Sequence, residues 1–242
     1  MVKGEIVVFY LERFRIALEE RWRGSLVCVR EARSVDPNAK EYLAALARKG
    51  IVERVIWGWY WIPGTEEGFW GFLARDQHEK YLERQTAAGV WNQDFVHRDI
   101  YRIAVRDESY ARALRAFCQS RGWSVIVETR SYEPGDFVRI GNLFVESLEA
   151  TIVDCIKEWA FVDAFAALYE HRDNIAWDKI SRHGWERIPR TKTRVGQVMK
   201  YGTAMMGREK KTAGFPRTKS RINDPFVRRQ VDEAVEKVAS FG

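Results

Sequence analysis

Residues 36–63 read DPNAKEYLAALARKGIVERVIWGWYWIP, and this stretch decides the fold. Asp36 suits the N-cap of a helix, because its carboxylate can accept an orphan backbone N–H, and Pro37 suits the first helical position, where no donor is needed. Leu43, Leu46 and Ala47 recur at helical spacing until Gly50 ends the run. The segments 51–56 and 59–62 are rich in β-branched and aromatic residues and predict two strands. Trp57-Gly58 joins them, since glycine tolerates the positive φ of a two-residue turn, and Pro63-Gly64 closes the unit. A helix that runs straight into a β-hairpin is the order of a winged helix, whose helix enters a major groove while the hairpin lies over the adjoining backbone.

Such a unit needs helices before it. The segment 6–22 supplies one, with Val7, Tyr10, Leu11, Phe14 and Leu18 at helical spacing, and 25–33 predicts a short second helix capped by Ser25. On the third helix Asn38, Lys40, Glu41, Ala45 and Arg48 lie away from the apolar stripe and would face DNA. The expected contacts are Arg33, Asn38, Lys40, Arg48 and Arg54, with the Asn38 amide matched to adenine and the cations to phosphate or guanine. Trp57, at the hairpin tip, would touch the backbone or minor groove. A solvated helix face has the same composition, and winged helices also serve as protein-protein modules.

The 242 residues suffice for one large or two modest domains. No apolar run approaches the ~20 residues that cross a bilayer, and Glu5, Glu12 and Arg13 spoil a signal peptide, so the expected compartment is the cytoplasm. Cys28, Cys118 and Cys155 are widely spaced in apolar contexts and predict buried thiols rather than disulfides or a metal site. Net charge is +6, but twelve Lys or Arg fall between Arg182 and Arg221 against Glu186 and Glu209, a local excess of +10 that leaves the rest near −4. Segregation of this kind suits a polyanion, whose condensed counterions are released as phosphates are neutralised. Lys192, Arg194, Lys200, Lys210 and Lys211 are therefore expected to give a second, sequence-independent DNA footprint; a solvated basic loop over 209–221 is the alternative.

Past the hairpin, 68–82 reads as a helix linking two units, turning polar from Gln77 to Arg84. The pattern then changes to β-α-β, with strands over 100–105 and 123–129 flanking a helix over 108–121, and further short strands over 137–145. From Ser147 the chain reads as helices in series over 147–159, 161–172, 175–183, 194–206 and 225–241, the last opened by Asp224-Pro225. The expected fold class is α+β: a winged helix-turn-helix domain over 1–64, a linker helix region over 65–98, and over 99–242 a mixed domain with a small β-sheet and a basic helical C-terminal part.

Several of these segments resemble a known family. Tyr42-Leu43 through Leu46, Lys49-Gly50-Ile51-Val52-Glu53-Arg54 and Gly58-Trp59-Tyr60-Trp61-Ile62-Pro63 resemble the N-terminal winged helix of AbiEi-type antitoxins, abortive-infection regulators of toxin-antitoxin systems. Val145-Glu146-Ser147-Leu148-Glu149-Ala150-Thr151-Ile152-Val153-Asp154 is similar to a later helix start of that family, with Glu149 and Asp154 carrying the match and Ala150 in place of an arginine. The resemblance implies binding of operator double-stranded DNA, repression of the chain's own operon and a cognate toxin as partner. Two-fold homodimers are the usual solution for such readers.

Catalysis and cofactors are not expected. His97-Arg98-Asp99 copies a kinase triplet without the other kinase motifs. Gly202 to Gly207 has phosphate-loop spacing, but Arg208-Glu209 stands where Lys and Ser or Thr belong. His78, His97, His171 and His183 have no partners at metal-ligand spacing. The enzymatic alternative is a metal-dependent nuclease, with Asp107 and Glu128 at two strand ends and Arg130 in place of the usual lysine. A third class is an interaction module built on Trp57, Trp59, Trp61, Phe69, Trp70 and Phe72, residues that serve equally as core.

Overall fold

The computed structural model describes residues 3–65, 68–93, 100–131, 135, 137–141, 143–180, 191–209 and 222–240. The chain divides into two compact units. The first combines Met1–Tyr81, Ile103–Ser131 and Arg139–Phe144, and the second Leu82–Arg102, Tyr132–Val138 and Val145–Gly242.

The first unit opens with α1 (Lys3–Trp22), β1 (Ser25–Cys28), the short α2 (Val29–Ala32), α3 (Ala39–Arg48), β2 (Glu53–Ile56) and β3 (Trp59–Ile62). β3 lies between antiparallel β1 and β2. Residues 25–28, expected to begin a helix, are strand instead: Ser25 to Cys28 pair with Ile62 to Trp59 and are buried throughout. Pairing with a long apolar neighbour outweighs weak local helical preference, and the expected second helix shrinks to one turn. The start of α3 also differs. Asn38, not Asp36, occupies the N-cap, because the Asp36 carboxylate accepts the Asn38 N–H at 2.7 Å in a local turn that holds Pro37 ahead of the helix.

Strand alternation gives β3 two different faces. Tyr60 and Ile62 join Phe14, Leu18, Leu43 and Leu46 in one core. Trp59 and Trp61 point the other way, toward α4 (Gly68–Arg75) and α6 (Glu108–Ser120), where Trp61 meets Phe117 at 4.7 Å and Phe72 at 5.8 Å between ring centroids. The aromatic surplus of the hairpin thus makes a second core, with Phe69 and Phe72 buried and Trp57 left outside.

A five-stranded sheet has the order β6 (Val125–Thr129), β5 (Tyr101–Val105), β4 (Lys80–Leu82), β8 (Leu143–Glu146), β7 (Phe137–Ile140). The β-α-β pattern expected after residue 99 is present as β5-α6-β6. The segment expected as a helical linker folds as α4, β4 and α5 (Arg84–Trp91), and β4 is the middle strand.

The second unit continues with α7 (Leu148–Lys157), α8 (Phe161–Glu170), α9 (Thr191–Glu209) and α10 (Pro225–Ser240). Asp224 caps α10 as expected, accepting from the Phe226 and Val227 N–H at 2.9 and 3.3 Å. Ile152, Phe161, Phe165, Leu168, Val198, Val231 and Val235 form its core. Gly202 of α9 makes a notch for Phe165: a Cβ built there overlaps the ring. The residues behind the family resemblance hold local structure, since the buried Glu149 carboxylate accepts the Ala176 N–H at 2.9 Å and Asp154 pairs with Lys157 at 2.6 Å.

Candidate nucleic-acid interface

α3 buries Ala39, Leu43 and Leu46 and turns Lys40, Glu41, Ala44 and Arg48 to solvent. Lys40, Ala44 and Arg48 are four residues apart, so they line one side of the helix with a small residue between two cations. Ala45, expected on this face, packs against the core instead, and Ala44 takes its place. Asn38 and Arg33 are exposed at and before the start of the helix, and Lys49 is exposed just past its end. Lys49, not among the expected contacts, is the C-cap residue beyond the last helical position.

The hairpin supplies a second exposed element. Gly58 takes φ +80, and its carbonyl accepts the Val29 N–H at 2.9 Å, which ties the turn to the start of α2. Trp57 at the tip is 78 % exposed, and the Arg54 guanidinium stands over its ring at 4.6 Å from the centroid. A guanidinium on an indole face is held by the ring quadrupole and loses part of its rotamer freedom. The tip therefore presents a cation and a flat apolar surface in a fixed arrangement.

The same unit holds a polar network that sequence reasoning missed. Asp76, fully buried, accepts from Ser25 Oγ at 2.9 Å, the Leu26 N–H at 2.9 Å, Lys80 Nζ at 2.7 Å and Tyr110 OH at 2.6 Å, with His78 Nδ1 at 3.3 Å. Lys80, also fully buried, gives further hydrogen bonds to the Asp76 and His78 carbonyls, each at 2.6 Å. His78 stacks on Tyr110 at 4.3 Å and reaches Glu31 Oε1 through Nε2 at 3.0 Å. The network links β1, α2, the α4–β4 connection, β4 and α6. Its signal in the sequence was the alternation Asp76, His78, Lys80, which places like-facing residues two apart on extended chain.

Burial alone would raise the Asp76 carboxyl, but the Lys80 and His78 charges and their hydrogen bonds hold it below the usual carboxylate range. Burial likewise opposes the His78 cation, yet its bonds to Asp76 and Glu31 raise it to about 9. The folded His78 is thus more basic than the unfolded one. Its contribution is fully present below the unfolded value of about 6.5 and lost as pH rises through about 9. Urea unfolding is expected to show about 2 kcal/mol lost between pH 6.5 and 9.5, and the loss should be absent in His78→Gln. A flat profile in the parent would refute the charged His78.

Of the C-terminal candidates, Lys200 is exposed on α9, Lys192 and Arg194 belong to the same helix, and Lys210 and Lys211 lie outside the described residues, as do His97-Arg98-Asp99 and His183. Asp107 and Glu128 have structural partners. Asp107 caps α6 by accepting the Tyr110 N–H at 2.9 Å, and Glu128 forms an ion pair with Arg130. His171 Nε2 meets the Trp91 carbonyl at 2.6 Å. Cys28, Cys118 and Cys155 are buried, although Cys28 lies on strand rather than helix, and burial pushes the Cys118 thiol up to about 12. Among the described residues no helix is long and apolar enough to cross a membrane. No protein-family model matches the chain, and a search of curated proteins finds no significant match.

Proposed function

We propose that the chain is a sequence-specific DNA-binding transcriptional regulator whose N-terminal segment is a winged helix. The observation that carries this reading is the exposed row Lys40, Ala44, Arg48 on α3, in the same unit as a hairpin tip bearing the stacked Arg54 and Trp57. The order α1-β1-α2-α3-β2-β3, with β3 between the other strands, supports the same reading, since a recognition helix followed by a sheet-anchored hairpin is what groove binding needs. The AbiEi resemblance adds autorepression and a cognate toxin, and groove readers of this size commonly act as homodimers. Lys200 and the basic residues around it supply the sequence-independent part of the binding.

The test is a gel-shift titration on the chain's own promoter region against a scrambled duplex, at two salt concentrations, with and without magnesium. Preferential, salt-sensitive retention of the promoter is expected. Lys40→Ala combined with Arg48→Ala should lower affinity about tenfold or more and reduce the log–log salt slope by about 2, one for each lost phosphate or base-edge cation. Unchanged affinity and preference in the double variant would overturn the assignment. Equal weak binding to both duplexes would point to a partner module, and magnesium-dependent loss of intact duplex to a nuclease.

A further inference from the structure

The first unit contains a cleft of about 250 Å³ on the side of β3 that faces α4 and α6. Its walls are aromatic, formed by Trp61, Phe72, Phe117 and Trp123, and two guanidiniums, Arg75 and Arg121, line it as well. Arg75 is oriented by hydrogen bonds to the Thr65 carbonyl, at 3.3 Å, and to its hydroxyl. Arg121 lies over the Phe117 ring at 5.1 Å from the centroid and pairs with Glu53 of β2 at 2.6 Å. Aromatic walls with a few fixed polar groups are the usual composition of a small-molecule site.

We propose that this cleft binds a small planar aromatic anion, one or two fused rings bearing a carboxylate. Size sets the ring count: the volume lies between a cavity of about 150 Å³ that takes benzene and the roughly 300–1,000 Å³ of drug-sized pockets. Chemistry sets the charge, because a guanidinium fork matches a carboxylate in a bidentate way and the flat walls favour stacked or edge-on rings. Glu53 holds Arg121, and a bound carboxylate competes for it. Glu53 immediately precedes Arg54 on β2, so the ligand reaches the strand that carries the hairpin tip. That last consequence rests on the DNA-binding reading, whereas occupancy of the cleft does not.

The probe is 2-naphthoate, followed by isothermal titration calorimetry on the full chain without DNA. One site per chain with a submillimolar Kd is expected, along with at least tenfold weaker binding of the neutral 2-naphthalenemethanol. Arg121→Gln should weaken 2-naphthoate about tenfold, and Glu53→Gln should strengthen it several-fold by removing the competing carboxylate. Glu53→Gln separates ligand binding from a merely structural ion pair, since loss of a structural pair cannot raise affinity. Absence of binding up to about 1 mM, equal binding of the alcohol, or an unchanged affinity in Glu53→Gln would each overturn the proposal. Success here with failure of the gel shift would leave a ligand-binding protein that does not read DNA.

Discussion

Asp76→Ala is expected to lower the stability of the first unit by about 3–5 kcal/mol, enough to unfold many domains at ordinary temperature. The carboxylate is the common acceptor for Ser25, Leu26, Lys80 and Tyr110, so its removal strands several buried donors at once. Worst placed is the Lys80 ammonium, fully buried and left with two carbonyls and no counter-charge. An internal control follows. Replacing both charges, as Asp76→Ala with Lys80→Met, should restore part of the loss, because an apolar pair of similar volume avoids the uncompensated charge. Urea denaturation followed by near-ultraviolet circular dichroism reads the result through Trp59 and Trp61, which share this unit. A single-variant loss below about 1 kcal/mol, or a double variant worse than the single, would show that the network is not the fastening it is taken for.

The second large effect is a reversal of sign. Gly202 lies inside α9, where Ala is ordinarily better than Gly by about 1 kcal/mol. Gly202→Ala is nevertheless expected to destabilise by about 2–3 kcal/mol, because the new methyl overlaps the Phe165 ring and that ring, fully buried, has no space to yield. Phe165→Leu should relieve much of the penalty in combination with Gly202→Ala while costing stability alone, which a double-mutant cycle measures directly. A stabilised Gly202→Ala would mean that the helix shifts to accept the methyl.

These two sites mark where the sequence could and could not be read. The hairpin, β5-α6-β6 and the Asp224 cap were legible because each is decided locally, by a turn glycine, by periodicity or by one carboxylate. Residues 25–28 were not, since their state depends on β3, more than thirty residues later. The run around Asp76, His78 and Lys80 read as the polar end of a linking helix; its charges are buried because they satisfy one another, and the two-residue alternation is the one local mark of that pairing. Gly202 showed only a spacing that fits phosphate loops, and its use as a notch becomes visible only with Phe165 beside it. In the proposed interface, Lys40 and Arg48 followed from helical periodicity, whereas the exchange of Ala45 for Ala44 needed the true orientation of the helix.

The first unit is also discontinuous along the chain, and that bears on its birth at the ribosome. The strand carrying Trp59 and Trp61 is complete by Ile62, but α6, which receives these side chains and supplies the Ser109 hydroxyl to the Trp59 indole at 2.9 Å, is made about 50 residues later. At synthesis rates of about 5–20 residues per second, that leaves a gap of roughly 3–10 s. During that interval the nascent hairpin displays a bare aromatic face. A chaperone that recognises exposed aromatics has its opportunity there, and a truncation after Pro63 would make the exposure permanent, leaving an isolated N-terminal segment prone to stick to itself.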